Sequence, residues 1–296
     1  MSFYTSVNKK GKYIYYRGYN DSGNQIGDKV KFQPTLYFPR EDSPFIALDG
    51  THVAPIKYET MGAAKDVVEQ GKEWDGFQVY GMDRWPTQFI AEKWPGKINF
   101  NPAFINVVNF DIEVASDDGF PEPAEALHPI ISIALKSSQS NIYRVWGLGD
   151  YDVEKCQIEM YGDQIQYKKF DSEEAMLDSF LNYWSDNYPD VITGWNSRYF
   201  DMPYLIHRLL RIGSEEEVKR LSPWKIVDKS FNQPDTYVIL GIEQADYLEL
   251  FKKFGYSYGA QESYKLDHIG YTVLGEKKLS YDEHGSLHTL YKNDHQ

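Results

Sequence analysis

The stretch Asn106-Val-Val-Asn-Phe-Asp-Ile-Glu-Val114 decides how the chain is read. Val107, Val108, Phe110, Ile112 and Val114 form a nearly unbroken run of β-branched and aromatic residues, the pattern of a strand buried on both faces. Two carboxylates interrupt it. Asp111 and Glu113 are two residues apart, so on a strand they point to the same side, roughly 7 Å apart along the chain. Two charges on one face of a buried strand are costly unless something positive lies between them. A divalent metal is the natural neutraliser.

Around this strand there is ample material for a globular protein. The chain has 296 residues, 42% of them hydrophobic and 16% aromatic, enough core for one large or two modest domains. Its single cysteine, Cys156, excludes an internal disulfide and a thiolate metal cluster, and fits a reducing compartment. The N-terminus lacks the apolar core of a signal peptide, and no stretch approaches the ~18 apolar residues of a membrane span. A soluble, cytoplasmic protein is expected. The net charge of -13 argues against nonspecific nucleic-acid binding, because phosphate neutralisation needs lysine and arginine. Any nucleic-acid contact must be local and metal-assisted.

Upstream of the strand, residues 1–103 read as a small, mostly β domain. Lys12–Tyr19 and Lys29–Phe32 flank the turn-forming Asn20-Asp-Ser-Gly-Asn24 and pair as a hairpin. Thr35–Phe38 and His52–Tyr58 are further strands. Met61–Gln70 reads as a helix with Ala63, Ala64, Val67 and Val68 on its inner face and Gly71 as its stop. No ligand cluster or nucleophile gathers here, so the unit reads as scaffold or binding module. A composition break at Trp94-Pro95-Gly96 puts the boundary within 96–104.

Residues 104–296 form the second domain, of mixed α/β character. Ile130–Leu135 and Ile142–Trp146 continue the carboxylate strand as an antiparallel start to a mixed sheet. Asp171 is the expected N-cap of a helix whose Met176, Leu177, Phe180, Leu181 and Trp184 recur at helical spacing. After the short strand Val191–Gly194, Pro203 fits the first turn of another helix, with Leu205, Ile206, Leu209 and Leu210 inward. Asp201 therefore sits at a helix N-terminus. Ser214-Glu-Glu-Glu217 opens a further helix with a capping box. Val227–Phe231 and Tyr237–Leu240 form a hairpin around Asn232-Gln-Pro-Asp235, and Tyr247–Phe254 and Ser263–Ile269 are the last helices.

Phe110-Asp-Ile-Glu113 followed by Asn196-x-x-x-Phe200-Asp201 resembles the first two exonuclease motifs of family B DNA polymerases. The flanks Asp118-Gly-Phe-Pro-Glu-Pro123, Thr193-Gly-Trp-Asn196 and Asp246-Tyr-x-x-Leu-Phe-Lys-Lys-Phe254 are similar to the replicative polymerases of T-even-like bacteriophages. The resemblance covers the whole chain. It implies an N-terminal domain followed by a ribonuclease H-like 3′–5′ proofreading exonuclease domain. It also implies two Mg2+ or Mn2+ ions: Asp111 bridges both, Glu113 holds the one that activates water, and Asp201 completes the site. Asn196 and Phe200 would then lie near the bound strand. Phe120 is either a stacking platform for a frayed terminal base or a hydrophobic plug under the proline turn. The Asn232–Asp235 hairpin resembles the family's exonuclease hairpin, which helps to separate primer from template.

One family feature is missing. The third exonuclease motif, a tyrosine followed four residues later by an aspartate on a helix, is not found in the closing segment, where Tyr291-Lys-Asn-Asp294 has the residue types one residue too close. The expectation is that this motif, and every polymerase motif, lies beyond His295-Gln296. DNA with a single-stranded 3′ end, a second polypeptide carrying the rest of a polymerase, and a sliding clamp and other replication proteins acting through it are the expected partners. The alternative is a non-catalytic nucleic-acid or replisome binding protein that keeps the fold. A ribonuclease H-like nuclease acting on RNA or branched DNA is a third possibility.

Overall fold

A computed structural model describes residues 2–81, 84–116, 119–156 and 162–277, together with Thr289. Asp118, Tyr291, Asp294, His295 and Gln296 lie outside the described residues. The chain divides into two compact units, Met1–Phe104 and Ile105–Gln296.

The first unit is β-rich. Strands β1 (Phe3–Lys10), β2 (Tyr13–Tyr19) and β3 (Gln25–Lys31) form one antiparallel sheet, and β4 (Thr35–Pro39), β5 (Phe45–Ile46) and β6 (His52–Lys57) form another in the order β4-β6-β5. Helices α1 (Met61–Gly71) and α2 (Trp85–Lys93) follow. Thr60 caps α1 through the Ala63 amide. Met61 and Ala64 are buried on α1, whereas Ala63 is exposed and Val67 and Val68 are half-buried. The inner face is thus turned from the expected one, because Met61 fills the core.

The second unit is built on one sheet in the order β10-β9-β8-β7-β11-β14. Its strands are β7 (Val107–Val114), β8 (Ile130–Ser137), β9 (Ile142–Gly147), β10 (Gln164–Lys169), β11 (Val191–Thr193) and β14 (Glu243–Gln244). β7, β8 and β9 run antiparallel, while β10 lies parallel to β9, and β11 parallel to both β7 and β14. Between β11 and β14 the chain forms the short antiparallel hairpin β12 (Val227–Lys229) and β13 (Tyr237–Ile239). This is the mixed α/β architecture the sequence predicts.

Among the described residues, five α-helices accompany this sheet: α3 (Glu173–Asp186), α4 (Asp201–Ile212), α5 (Glu215–Lys219), α6 (Tyr247–Phe254) and α7 (Leu266–Leu274). The expected stripe of α3 is buried from Met176 to Trp184. Its cap is Ser172, not Asp171: the Ser172 hydroxyl accepts from the Ala175 amide. That shift places Glu173 on the buried side. On α4, Leu205, Ile206 and Leu209 face inward, but Leu210 is 42% exposed, since its direction falls beyond the stripe set by 3.6 residues per turn. α7 begins three residues later than expected, after Lys265.

The central strand departs from expectation in the way that matters most. Val108, Phe110 and Ile112 are buried, whereas Asn109, Asp111 and Glu113 are exposed. Phe110 packs against Phe180 and Trp184 of α3, with ring centroids 6.1 and 6.3 Å away. Burial is therefore one-sided and alternates with the period of two that a strand imposes. The carboxylate pair stands on the open face.

Candidate functional site

Asp201 is the first residue of α4 and is only 4% exposed. Its Oδ1 accepts a hydrogen bond from the Ile112 amide at 3.1 Å, so the acid is docked on the backbone between Asp111 and Glu113. Burial and the charges of those two residues push its pKa up to about 8, and only hydrogen bonds from backbone amides oppose the rise. The desolvation cost expected at the strand carboxylates thus falls on Asp201. Among the described residues, no three Asp, Glu, His or Cys side chains are close enough together to hold a metal ion as they stand. In chemistry the donors fit a hard divalent cation: all three are carboxylates, and a cation relieves the repulsion acting on Asp201.

The segment leading to Asp201 is held by a residue whose role the sequence does not reveal. Asp246, 2% exposed, accepts from the Asn196 amide at 3.1 Å and the Arg198 amide at 2.9 Å. It also caps α6 through the Leu248 amide at 2.8 Å. Asn196 needs this support, because its φ of 65° lies in the left-handed region. Gly194 precedes it where the chain crosses β7; a Cβ there would stand 2.6 Å from the Phe110 carbonyl oxygen. Asp246→Ala leaves three part-buried amides without their shared acceptor and is expected to cost about 3 kcal/mol, measured by urea denaturation, with Asp246→Asn losing less.

On the other side of the carboxylates, α4 grips the segment following β7. Arg208 forms a buried pair with Glu173, at 2.6 Å from Nη2 to Oε2, and donates to the carbonyls of Ala126 and Leu127. Glu173 Oε1 also accepts from the Ile130 amide at 2.7 Å. His207 sits between the Pro123 carbonyl and the Tyr237 hydroxyl, 2.6 Å from each. A carbonyl only accepts, so Nδ1 carries the proton. Arg208→Leu leaves Glu173 buried without its partner and is expected to cost about 3–5 kcal/mol in denaturant unfolding, with a double Arg208→Leu, Glu173→Leu variant recovering much of the loss.

The aromatic residues singled out in sequence occupy the same region. Phe120 is 71% exposed, so it is not a plug under the proline turn; its ring lies 5.5 Å from that of Phe200, which in turn lies 5.8 Å from Tyr204. In the β12–β13 hairpin, Phe231 is fully exposed. Gln233 donates to the Tyr199 hydroxyl, which donates to Glu249.

Comparison with known proteins identifies relatives of this chain. Residues 90–269 match the family model for the exonuclease domain of family B DNA polymerases. The chain is 31% identical to the DNA-directed DNA polymerase of Escherichia phage RB69 and 28% identical to that of Enterobacteria phage T4, in each case over 99% of this chain and 35% of the relative. It is also 30% identical to DNA polymerase 1 of Saccharolobus solfataricus over 60% of this chain and 19% of that protein. The chain thus spans about a third of the length of its phage relatives. The mixed sheet fits the ribonuclease H-like form expected of such a domain, and with the match extending over more than half of its length, the chain belongs to the exonuclease-domain family of the family B DNA polymerases.

Proposed function

We propose that this chain carries the 3′–5′ proofreading exonuclease of a DNA-directed DNA polymerase, with Asp111, Glu113 and Asp201 as its catalytic metal ligands. The observation that carries this reading is the hydrogen bond from the Ile112 amide to Asp201 Oδ1. It joins two motifs 89 residues apart at the one place where the strand presents acids to solvent.

Two Mg2+ or Mn2+ ions, when bound, supply a water of lowered pKa and stabilise charge on the phosphate and the leaving oxygen. Asp111 and Glu113, exposed on one face of β7, meet the ions and the backbone of the substrate. Asp201 would complete the ligand set as a carboxylate, with an ion offsetting the burial and repulsion that favour its protonated form. Phe120, backed by Phe200, presents a ring for a terminal base; such stacking contributes about 1–3 kcal/mol and accepts any sequence. Asn196 sits in the loop that Asp246 fixes and faces the bound strand. The hairpin carrying Phe231 separates primer from template.

The domain division at residues 103 and 104 fits a β-rich platform followed by the nuclease. Full activity requires the remainder of the polymerase, including the tyrosine–aspartate motif, supplied by a second polypeptide or by continuation of the chain. A sliding clamp and other replication proteins act through that assembly, in a cytoplasmic setting. The alternative, a non-catalytic nucleic-acid or replisome binder, is favoured by the spacing of the three acids, none of which forms a closed ligand set among the described residues.

The deciding experiment supplies the chain together with the remaining polymerase region and follows single-stranded DNA labelled at either end. Mg2+-dependent loss of nucleotides from the 3′ end, abolished by chelation, is expected. Binding without hydrolysis in Mg2+ and in Mn2+ supports the non-catalytic alternative.

A further inference from the structure

A cavity of about 660 Å3 opens between β9, β10 and α3, lined by none of the three acids. The parallel register sets Arg144 beside Gln166 and Trp146 beside Lys168. Alternate residues of a strand share a face, so these four side chains form a square turned toward α3, which contributes Ser179 and Tyr183. The guanidinium of Arg144 lies 5.0 Å from the centre of the Tyr183 ring and donates to the Gln166 side-chain oxygen. Lys168 Nζ donates to the Ser179 hydroxyl at 3.0 Å, as does Trp146 Nε1 at 3.3 Å.

Neither cation is ion-paired among the described residues. In a chain with 44 acidic and 31 basic residues, that is informative. The one carboxylate on the rim, Asp178, is taken by Arg220 at 2.9 Å, whereas the neighbouring Lys169 is matched with Asp150 at 2.5 Å. Lysines on an edge strand deter unwanted strand pairing, which accounts for Lys168. It does not account for Arg144, which lies on the inner neighbour β9 and is stacked on Tyr183.

We propose that this cavity binds a nucleoside polyphosphate. Arg144 and Lys168 stand diagonally across two strands, with backbones roughly 8 Å apart by sheet geometry, and their long side chains converge on one phosphate chain. A guanidinium fork matches phosphate oxygens, and an ammonium adds a point charge. The half-buried Tyr183 ring, backed by the buried Trp146, supplies a surface for the base, and the Gln166 amide a polar contact for its edge. The volume falls in the range of ordinary small-molecule sites, roughly 300–1,000 Å3.

Calorimetric titration of the chain with ATP, tripolyphosphate and adenosine, in the presence of EDTA, tests this site apart from the carboxylate cluster. ATP is expected to bind saturably and more tightly than either other probe. Arg144→Gln with Lys168→Gln should weaken ATP at least tenfold, Tyr183→Leu should bring ATP down to the level of tripolyphosphate, and Asp111→Asn should change nothing. Circular dichroism checks that the variants fold. The proposal is overturned if ATP gives no saturable heat, if tripolyphosphate binds as tightly as ATP, or if the double variant binds ATP unchanged. It is equally overturned if a single-stranded oligonucleotide occupies the cavity and ATP does not displace it.

Discussion

Asp201→Asn is expected to make the metal-free protein more stable at pH 8 while abolishing the proposed exonuclease activity. The carboxyl of Asp201 is held protonated up to about pH 8, against an ordinary value near 3.8. Because the folded-state value is raised, the stabilising contribution of the protonated form is fully present below pH 3.8 and is lost as pH rises through 8. In that window the folded state holds a proton that the unfolded state has released, so stability falls by about 1.4 kcal/mol per pH unit at most. Asparagine keeps an oxygen for the Ile112 amide and has no charge to desolvate. Urea denaturation across this range, with metal chelated, should therefore show a difference that grows to a few kcal/mol at pH 8 in favour of the variant. Parallel stability profiles for the two proteins would mean that Asp201 is not strained by its surroundings. Adding Mn2+ should stabilise the parent at pH 8, since a ligand that binds only the folded state stabilises it by mass action, and should leave the variant nearly unmoved.

Removal of the exposed acid on the strand has the opposite character. Asp111→Ala takes away a side chain that the fold leaves exposed, so thermal stability should change little or rise as repulsion on Asp201 is relieved. Hydrolysis of a single-stranded 3′ end by the chain together with the rest of the polymerase should fall by ~10³-fold or more, the loss of about 4 kcal/mol of transition-state stabilisation. Affinity for single-stranded DNA in Ca2+ should remain within a few fold, because Phe120, Phe200 and the hairpin are untouched. A large drop in binding with unchanged turnover of bound DNA would assign Asp111 to substrate capture instead. Stability and catalysis are thus separable at Asp111 and opposed at Asp201.

Much of this was legible in the sequence because period and punctuation agreed. The apolar run through Val108, Phe110 and Ile112 marks β7, the stripe from Met176 to Trp184 marks α3, and the turn around Asn232–Asp235 marks the hairpin. The reading failed where local signals were weak or tertiary. β1 is mostly polar beyond Phe3, α2 opens on Trp85-Pro86 with little apolar period, and β10, Gln164–Lys169, has only Ile165 and Tyr167 as half-buried anchors. The continuous apolar run of β7 suggested burial on both faces, yet its outer residues Val107 and Val114 are only half-buried and the acids point outward. For the site, the two motifs gave Asp111, Glu113 and Asp201, but not which of them carries the burial cost. The hold of Asp246 on Asn196 and Arg198 and the Arg208–Glu173 pair could not be found, because these partners lie 35 to 82 residues apart in sequence and no local pattern encodes them.

The central claim is that Asp111, Glu113 and Asp201 act together on divalent cations. Calorimetric titration with Mn2+ at pH 8 tests it most directly, comparing the parent chain with the single variants Asp111→Asn, Glu113→Gln and Asp201→Asn. Saturable binding to the parent, with proton release from Asp201, and strong weakening in each of the three variants are expected. Absence of binding to the parent, or binding that survives all three substitutions, contradicts it.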